Sequence, residues 1–263
     1  MDEIVVQEKK RVLYLTLNRT AKRNALTAAM CNEIVQRVRN IQERADIGSV
    51  LIASHGPVFC SGMDLEEVRD EHGLDLERVH EDLFTMGRNS LKPIVVAVGG
   101  AALGGGLGLV AQGHIVMASE FASFALPEIK VGFWPFLVFR AVEHAIGSRR
   151  TLELSLTGCK FHPHDAANWG LVHRVCPATE IFERSETVAR ELAKASPTAI
   201  HAGLQYARDA RGKTLEEAGE IAAKLRVQIM AGDDFKEGIA AFQQKREPHW
   251  PSLPENFYRE KVS

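Results

Sequence analysis

The chain has 263 residues, 45% of them hydrophobic and 25% charged, which suits one large domain, or a main domain with an appendage. With 32 Lys and Arg against 34 Asp and Glu, the net charge of −2 excludes the overall basic footprint of a nucleic-acid or anionic-membrane binder. Four widely spaced cysteines with no Cys-x-x-Cys pair (Cys31, Cys60, Cys159, Cys176) and an acidic N-terminus without a secretory pattern point to a reduced, cytoplasmic protein; a mitochondrial matrix or peroxisomal enzyme is also compatible.

Val12–Leu17 alternates as a strand and stops at the polar stretch 18–24. Thr27 then reads as the N-cap of a helix over 27–43, with Met30, Ile34, Val38 and Ile41 on one face. Residues 49–53 form a second buried strand, followed by a loop and a polar helical region over 65–90. Ile94–Val98 and 115–118 are further strands, and 121–126 is a short one halted at Pro127. After Phe136 the pattern turns helical, with candidates at 137–146, 151–156, 163–169, 180–195, 198–211, Leu215–Ala231 and 233–246. Pro197, Gly212 and Gly232 punctuate the last of these, and the tail from Glu247 carries three prolines. The boundaries expected are a core over 1–195 and a helical region over 196–263.

Residues 94–111 form an uncharged run of 18 residues, near the minimum for a membrane span. Six glycines interrupt it, and its first five residues are mostly β-branched, so it reads as a buried strand, a turn and a buried helix. There is no repeat and no low-complexity segment.

Several chemical signatures are absent. The glycines fit neither G-x-G-x-x-G nor a P-loop, and no G-x-S-x-G elbow occurs. His162 and His164 lack Cys or carboxylate partners at ligand spacing, so no metal site is expected. What remains is two glycine-bearing turns, each following a buried strand: Ser61-Gly62-Met63-Asp64 and Gly104-Gly105-Gly106. Such turns expose peptide N–H groups and let a ligand approach the backbone. Two of them side by side can aim two donors at one carbonyl oxygen and hold the enolate formed when a thioester loses an α-proton. The alternative is that the glycines only permit tight packing.

The order of further segments is informative. Leu17-Asn18-Arg19 through Lys22-Arg23-Asn24-Ala25-Leu26, Phe59-Cys60-Ser61-Gly62-Met63-Asp64-Leu65, Lys92-Pro93 with Leu103-Gly104-Gly105-Gly106, and Leu126-Pro127-Glu128 to Gly132 follow one another, with Leu156-Thr157-Gly158 and Trp169-Gly170-Leu171-Val172 behind them. In this order they resemble the crotonase (enoyl-CoA hydratase/isomerase) family over most of the chain, from Val12 to about Arg246. The resemblance implies an α/β fold, a spiral of repeated ββα units closed by a C-terminal helical trimerisation region that includes Phe242, Lys245, Arg246 and Trp250. It implies an acyl-CoA substrate, with coenzyme A as part of the substrate and no separate cofactor, and a homotrimer or dimer of trimers. The N–H groups of Met63 and Gly105 become the oxyanion donors. Lys22, Arg23, Ala25, Leu26, Ser61, Gly62, Asp64 and Leu65 become the CoA-binding stretch, with Lys22 and Arg23 either facing phosphates or lying in a solvated turn.

Two departures bear on the reaction. Family hydratases hold a water molecule between two glutamates; this chain has Glu128 at one position and Gly108 at the other, and glycine transfers no proton. One carboxylate suffices to move a proton between the α- and γ-carbons, so Δ3–Δ2 enoyl-CoA isomerisation is the favoured expectation. Hydration, thioester hydrolysis, decarboxylation and non-catalytic acyl-CoA binding are the alternatives. The second departure is Phe133-Trp134-Pro135-Phe136-Leu137, where many family hydratases are glycine-rich; these aromatics reshape the acyl pocket or serve packing. Cys60, without an evident base, reads as a small buried residue.

Overall fold

This computed structural model describes residues 2–70, 74–254 and 257. Residues 71–73 of the expected helical region 65–90, and 255–256 and 258–263 of the tail, lie outside the described residues.

The chain opens with an antiparallel hairpin, β1 (Ile4–Lys9) and β2 (Val12–Leu17). Its turn residues Lys10 and Arg11 both take positive φ, 50° and 62°, the backbone that matches the twist of the flanking strands. Such turns usually use Asn or Gly, so neither this turn nor β1 was legible in the sequence. α1 (Ala28–Asn40) begins as expected, with Thr27 Oγ1 accepting from Met30 N at 3.2 Å. It stops three residues short of the expected position 43, and buries Met30, Ile34 and Val38 with Cys31 and Val35.

β3 (Ser49–Ser54), β4 (Val58–Cys60), α2 (Leu65–Asp70) and α3 (Leu74–Asn89) come next, then β5 (Ile94–Val98), β6 (Ala101–Leu103), α4 (Gly105–Val110), β7 (Ile115–Ser119) and β8 (Ser123–Ala125). The first strand of each pair, β3, β5 and β7, adds in parallel to β2 in a large mixed sheet; the second, β4, β6 and β8, builds a small parallel sheet. Successive turns of the chain thus add one strand to each sheet, which is the spiral of ββα units. The repeat lies in the backbone and leaves no trace as a sequence repeat. The uncharged run 94–111 becomes β5, β6 and the six-residue α4, and no described helix is long and apolar enough to cross a membrane.

The large sheet is apolar on both faces, which explains why its strands read as continuous hydrophobic runs. Leu13, Leu15, Val50, Ile52 and Val96 join the main core, while the alternate residues Val12, Tyr14, Leu51, Val95 and Met117 join a second cluster. The second cluster is covered by the helix Ile181–Lys194, which contributes Ile181, Ala189 and Ala193 to it.

Beyond a short 3-10 turn at Pro127–Val131 come α5 (Phe136–Ile146), α6 (Ser148–Thr157), α7 (Pro163–Asn168), β9 (Arg174–Cys176), α8 (Ile181–Lys194), α9 (Pro197–Asp209), α10 (Leu215–Ala231) and α11 (Asp233–Gln244). β9, a three-residue strand on the edge formed by β7, is too short to have a pattern in the sequence. α9 and α10 bury none of their residues within the chain. Asp234, buried at the start of α11, accepts from Ser196 Oγ (2.6 Å), Thr198 Oγ1 (3.0 Å) and Ser252 Oγ (2.7 Å), and so joins α9, α11 and the tail. Trp250 Nε1 donates to Lys194 O at 2.7 Å, and Arg246 pairs with Glu237. Both therefore fasten the tail to its own chain, whereas Phe242 is 86% exposed.

Candidate active site

The two glycine turns meet. β4 leads into Ser61-Gly62-Met63, and β6 leads into Gly104-Gly105 at the start of α4. Leu26 N donates to Gly62 O at 2.8 Å, and Asp64 N donates to Leu26 O at 2.8 Å, forming a parallel bridge between Leu26 and Met63. Peptide groups alternate sides along an extended segment, so the N–H of Met63 turns away from Leu26. Gly105 lies on that side: the position a Cβ would occupy on Gly105 is 3.4 Å from Met63 N. The N–H of Gly105 heads α4 and has no intrahelical acceptor. Two main-chain N–H groups, those of Met63 and Gly105, are thus brought close together.

The glycines are demanded by this geometry. Gly62 has φ +110° and Gly104 φ +51°, backbone that other L-residues rarely adopt, and a Cβ on Gly106 would stand 2.4 Å from Cys60 O. Cys60 is fully buried and burial pushes its thiol up to about 12, so it is packing and not a nucleophile.

Glu128 lies beside Gly104, at the head of α4. Pro127 opens the 3-10 turn, and Phe133 N closes it by donating to Glu128 O at 3.1 Å. The carboxylate reaches the head of α4, where its Oε1 lies 2.7 Å from the position a Cβ would take on Gly104. Glu128 Oε2 is buried and has no hydrogen-bond partner among the described residues. Burial raises its pKa above the ordinary glutamate value, which outweighs a backbone hydrogen bond acting in the opposite sense.

The second carboxylate position is closed as well as empty of charge. A Cβ on Gly108 would stand 2.6 Å from Cε1 and 2.8 Å from Cδ1 of Phe84, and 3.2 Å from Val138 Cγ1. Phe84 is buried on α3, in the region that the sequence showed only as a polar helix. One turn before it, His80 has its Nε2 buried without a hydrogen-bond partner among the described residues, and burial lowers its pKa. Neither residue was singled out from the sequence; the signal was their i, i+4 spacing on one face of α3.

The remaining expected site residues lie on two neighbouring segments, 22–26 and 61–65. Arg23 and Asn24 both have positive φ, 52° and 54°, and Ser61 N donates to Arg23 O at 3.1 Å, so 22–26 and 61–65 run side by side. Asn24 is buried and its Nδ2 donates to the carbonyls of His55 and Val58, which locks the first loop. Asp64 is bound to Arg19 Nη1 at 2.7 Å and accepts from Glu66 N at 3.0 Å, so its carboxylate ties the two loops together. Leu65 is exposed, and the exposed Lys22 ammonium pairs with Glu66 at 2.9 Å. His162 stands at the N-cap of α7, where its backbone N–H donates to Asp165 Oδ2 at 3.2 Å. Phe133 and Phe136 are both exposed and meet edge to face at 6.2 Å directly after the Glu128 turn.

The sequence profile of the enoyl-CoA hydratase/isomerase family matches residues 7–253. The chain belongs to this family. Among curated relatives of this crotonase-family enzyme, the mevalonyl-coenzyme A hydratase of Aspergillus fumigatus is 33% identical, over 91% of each chain. The 2,3-dehydroadipyl-CoA hydratase of Escherichia coli is 32% identical over 94% of this chain and 98% of its own. Among solved structures, an enoyl-CoA hydratase of Mycobacterium smegmatis superposes with a TM-score of 0.90 at 26% identity, covering 95% of this chain and 99% of the other. Human enoyl-CoA hydratase domain-containing protein 3 does so with 0.88 at 29% identity, covering 95% and 100%. Together with the spiral of paired strands, these matches establish a crotonase-fold acyl-CoA enzyme.

Proposed function

We propose that this crotonase-family enzyme moves a proton along the acyl chain of an enoyl-CoA, converting a 3-enoyl thioester to the conjugated 2-enoyl thioester. The observation that carries this reading is one carboxylate at the head of α4, Glu128 against Gly104, combined with a second position, Gly108, packed shut by Phe84.

In the proposed cycle the thioester oxygen sits between the N–H groups of Met63 and Gly105. Ionised Glu128 removes the α-proton, and the electrons move onto that oxygen as a dienolate. Protonated Glu128 then returns the proton to the γ-carbon, which regenerates the carboxylate. The hole lowers the cost of the intermediate, and each well-placed donor is worth about 10²–10³ in rate. Coenzyme A enters as the handle of the substrate. The wall of Lys22, Arg23, Ala25, Leu26, Ser61, Gly62 and Leu65 is proposed to bind it, with Asp64 holding the two loops in register.

The test is a panel of 3-enoyl-, 2-enoyl- and saturated acyl-CoA esters, read by mass and by the absorbance of the conjugated thioester. Isomerisation of the 3-enoyl ester is expected, and Glu128→Gln should lower it by about 10²–10⁴. Wild-type turnover in that variant refutes Glu128 as the base. Calorimetric binding of the esters without any turnover refutes catalysis itself in favour of a binding role.

A further inference from the structure

α9 buries none of its residues within the chain, and the space between it and the core is a cavity of about 710 Å³. Its other walls are the end of α3 with Arg88, residues 111–114 just past α4, and α5 with Glu143 and His144; Leu204 and Ala207 face it from α9. That volume falls in the range of about 300–1,000 Å³ that holds a small organic molecule. The N–H groups of Met63 and Gly105 meet at the head of α4, whereas the cavity adjoins the far end of that helix. The two places are therefore separate.

The arginines around this cavity differ in their partners. Arg140 is paired with Glu81 at 2.7 Å, and Arg208 with Asp209 at 2.7 Å. Arg88 and Arg211 also line the cavity and have no ion pair among the described residues. Glu143 is likewise without an ion pair there, so two guanidiniums are set against one carboxylate. Partial desolvation, and then the Arg88 charge, hold the Arg211 pKa below the usual arginine value. Partial desolvation, and then the charges of Arg211 and Arg88, lower that of His144. The three groups thus act on one another across the cavity.

Part of this charge belongs to helix ends. Arg88 stands in the last turn of α3 and His144 in the last turn of α5, where a cation complements the helix dipole. Arg208 already serves the last turn of α9, which leaves Arg211, beyond that helix, in excess of the need. Like charges gathered in one partly desolvated place repel, and an anion between them turns that cost into an attraction.

We propose that this cavity is a second, non-catalytic site, which takes the phosphate group of a small molecule between Arg88 and Arg211. A guanidinium offers paired N–H donors in a planar fork that matches two phosphate oxygens, which a point charge does not. Both guanidiniums are open to solvent, so the ligand reaches them directly. The cavity has room beyond a bare anion, and Leu204 and Ala207 give apolar surface to whatever carries the phosphate. The site does not depend on the reading of Glu128.

The experiment measures thermal melting and calorimetric binding for wild type, Arg88→Gln, Arg211→Gln and Arg211→Lys. The probes are inorganic phosphate, adenosine monophosphate and adenosine. Wild type should bind phosphate and the nucleotide saturably and melt higher with each, while adenosine should not bind. Each Gln variant should weaken that binding about tenfold or more, since a charged hydrogen-bonding partner is lost. Arg211→Lys, which keeps the charge but not the fork, should bind with intermediate affinity. Without a probe, the Gln variants should melt no lower than wild type, because a like-charge contact is relieved. Equal affinity for phosphate and nucleotide identifies free phosphate as the ligand, and tighter nucleotide binding identifies a phosphate ester; both support the site. An equal rise in melting with sodium chloride at matched ionic strength, or equal binding of adenosine and the nucleotide, overturns phosphate recognition. Undiminished affinity in both Gln variants places the probe elsewhere and overturns the proposal. Absence of saturable binding by wild type overturns it as well. Gln variants that melt lower without a probe assign both arginines to the helix ends and overturn it too.

Discussion

At the scale of single residues, Glu128 carries opposing demands. In the proposed isomerisation its carboxylate must ionise to remove a proton, yet burial and an Oε2 without a hydrogen-bond partner among the described residues disfavour the ionised form. Because its folded pKa is raised, the folded state binds the proton more tightly than the unfolded chain does. The associated stability is complete below the unfolded pKa and is lost as the pH rises through the folded pKa. Glu128→Gln, which cannot ionise, is therefore expected to melt higher than wild type at about pH 8 and close to it below about pH 4, by roughly 2–4 °C for each kcal/mol. Thermal melts at the two pH values check this; equal shifts at both would show that Glu128 is not buried against its charge. If Glu128 is the base of the proposed isomerisation, the same burial should place the acidic limb of its pH profile above the range of an ordinary glutamate.

Gly105 supplies a second prediction at this scale. A Cβ there would stand 2.8 Å from Met63 Sδ and 3.4 Å from Met63 N, inside the proposed hole. Gly105→Ala should lower kcat by about 10²-fold or more while the CoA wall still binds. Comparing kcat with the Kd of an unreactive acyl-CoA ester separates the two effects, and an unchanged kcat would remove Gly105 from the hole.

At the scale of elements, the contact between α3 and α4 decides what the site lacks. The sequence suggests that Gly108→Glu restores a second carboxylate, but Phe84 already fills the space beside that Cβ. Overpacking of this kind costs about 1–3 kcal/mol. Gly108→Glu alone is expected to melt lower without any gain in hydration. Combining it with Phe84→Ala should recover part of the lost stability, giving a coupling of about 0.5–3 kcal/mol in a double-mutant cycle. Additive effects would mean that the two residues do not share this space. The hairpin of β1 and β2 is held at the same scale: Arg11, in the positive-φ turn, sends its buried guanidinium to the carbonyls of Ala193 and Ala45. A solvent-facing arginine and this buried one look alike in sequence.

At the scale of the whole molecule, the C-terminal helices leave a broad apolar surface. Leu215 and Phe242 are each 86% exposed and Val227 66%, on helices that bury little of their own chain. Apolar faces of this extent mark association sites. We propose a homotrimer or a dimer of trimers, and light scattering should give a mass at least three times that of one chain. Phe242→Asp should lower that mass; a monomeric wild type contradicts the proposal.

The sequence by itself determined the elements with long periodic patterns, the family through the order of its glycine and P-E segments, and Met63, Gly105 and Glu128 as the candidates of the site. Local rules suffice there, because glycine at positive φ, proline at the start of a turn and apolar runs buried on both faces each leave a mark in the composition. The tertiary structure alone decided what surrounds those residues. The strands β4, β6 and β9 are three residues each, too short to hold a pattern, and exist because a neighbouring strand pairs with them. The positive-φ turn at Lys10 and Arg11 is fixed by contacts far along the chain. The closure of position 108 by Phe84 arises from the packing of two helices whose contacting residues lie 24 positions apart in the chain. Sequence shows which groups are present; which of them share a space is settled by packing between distant segments.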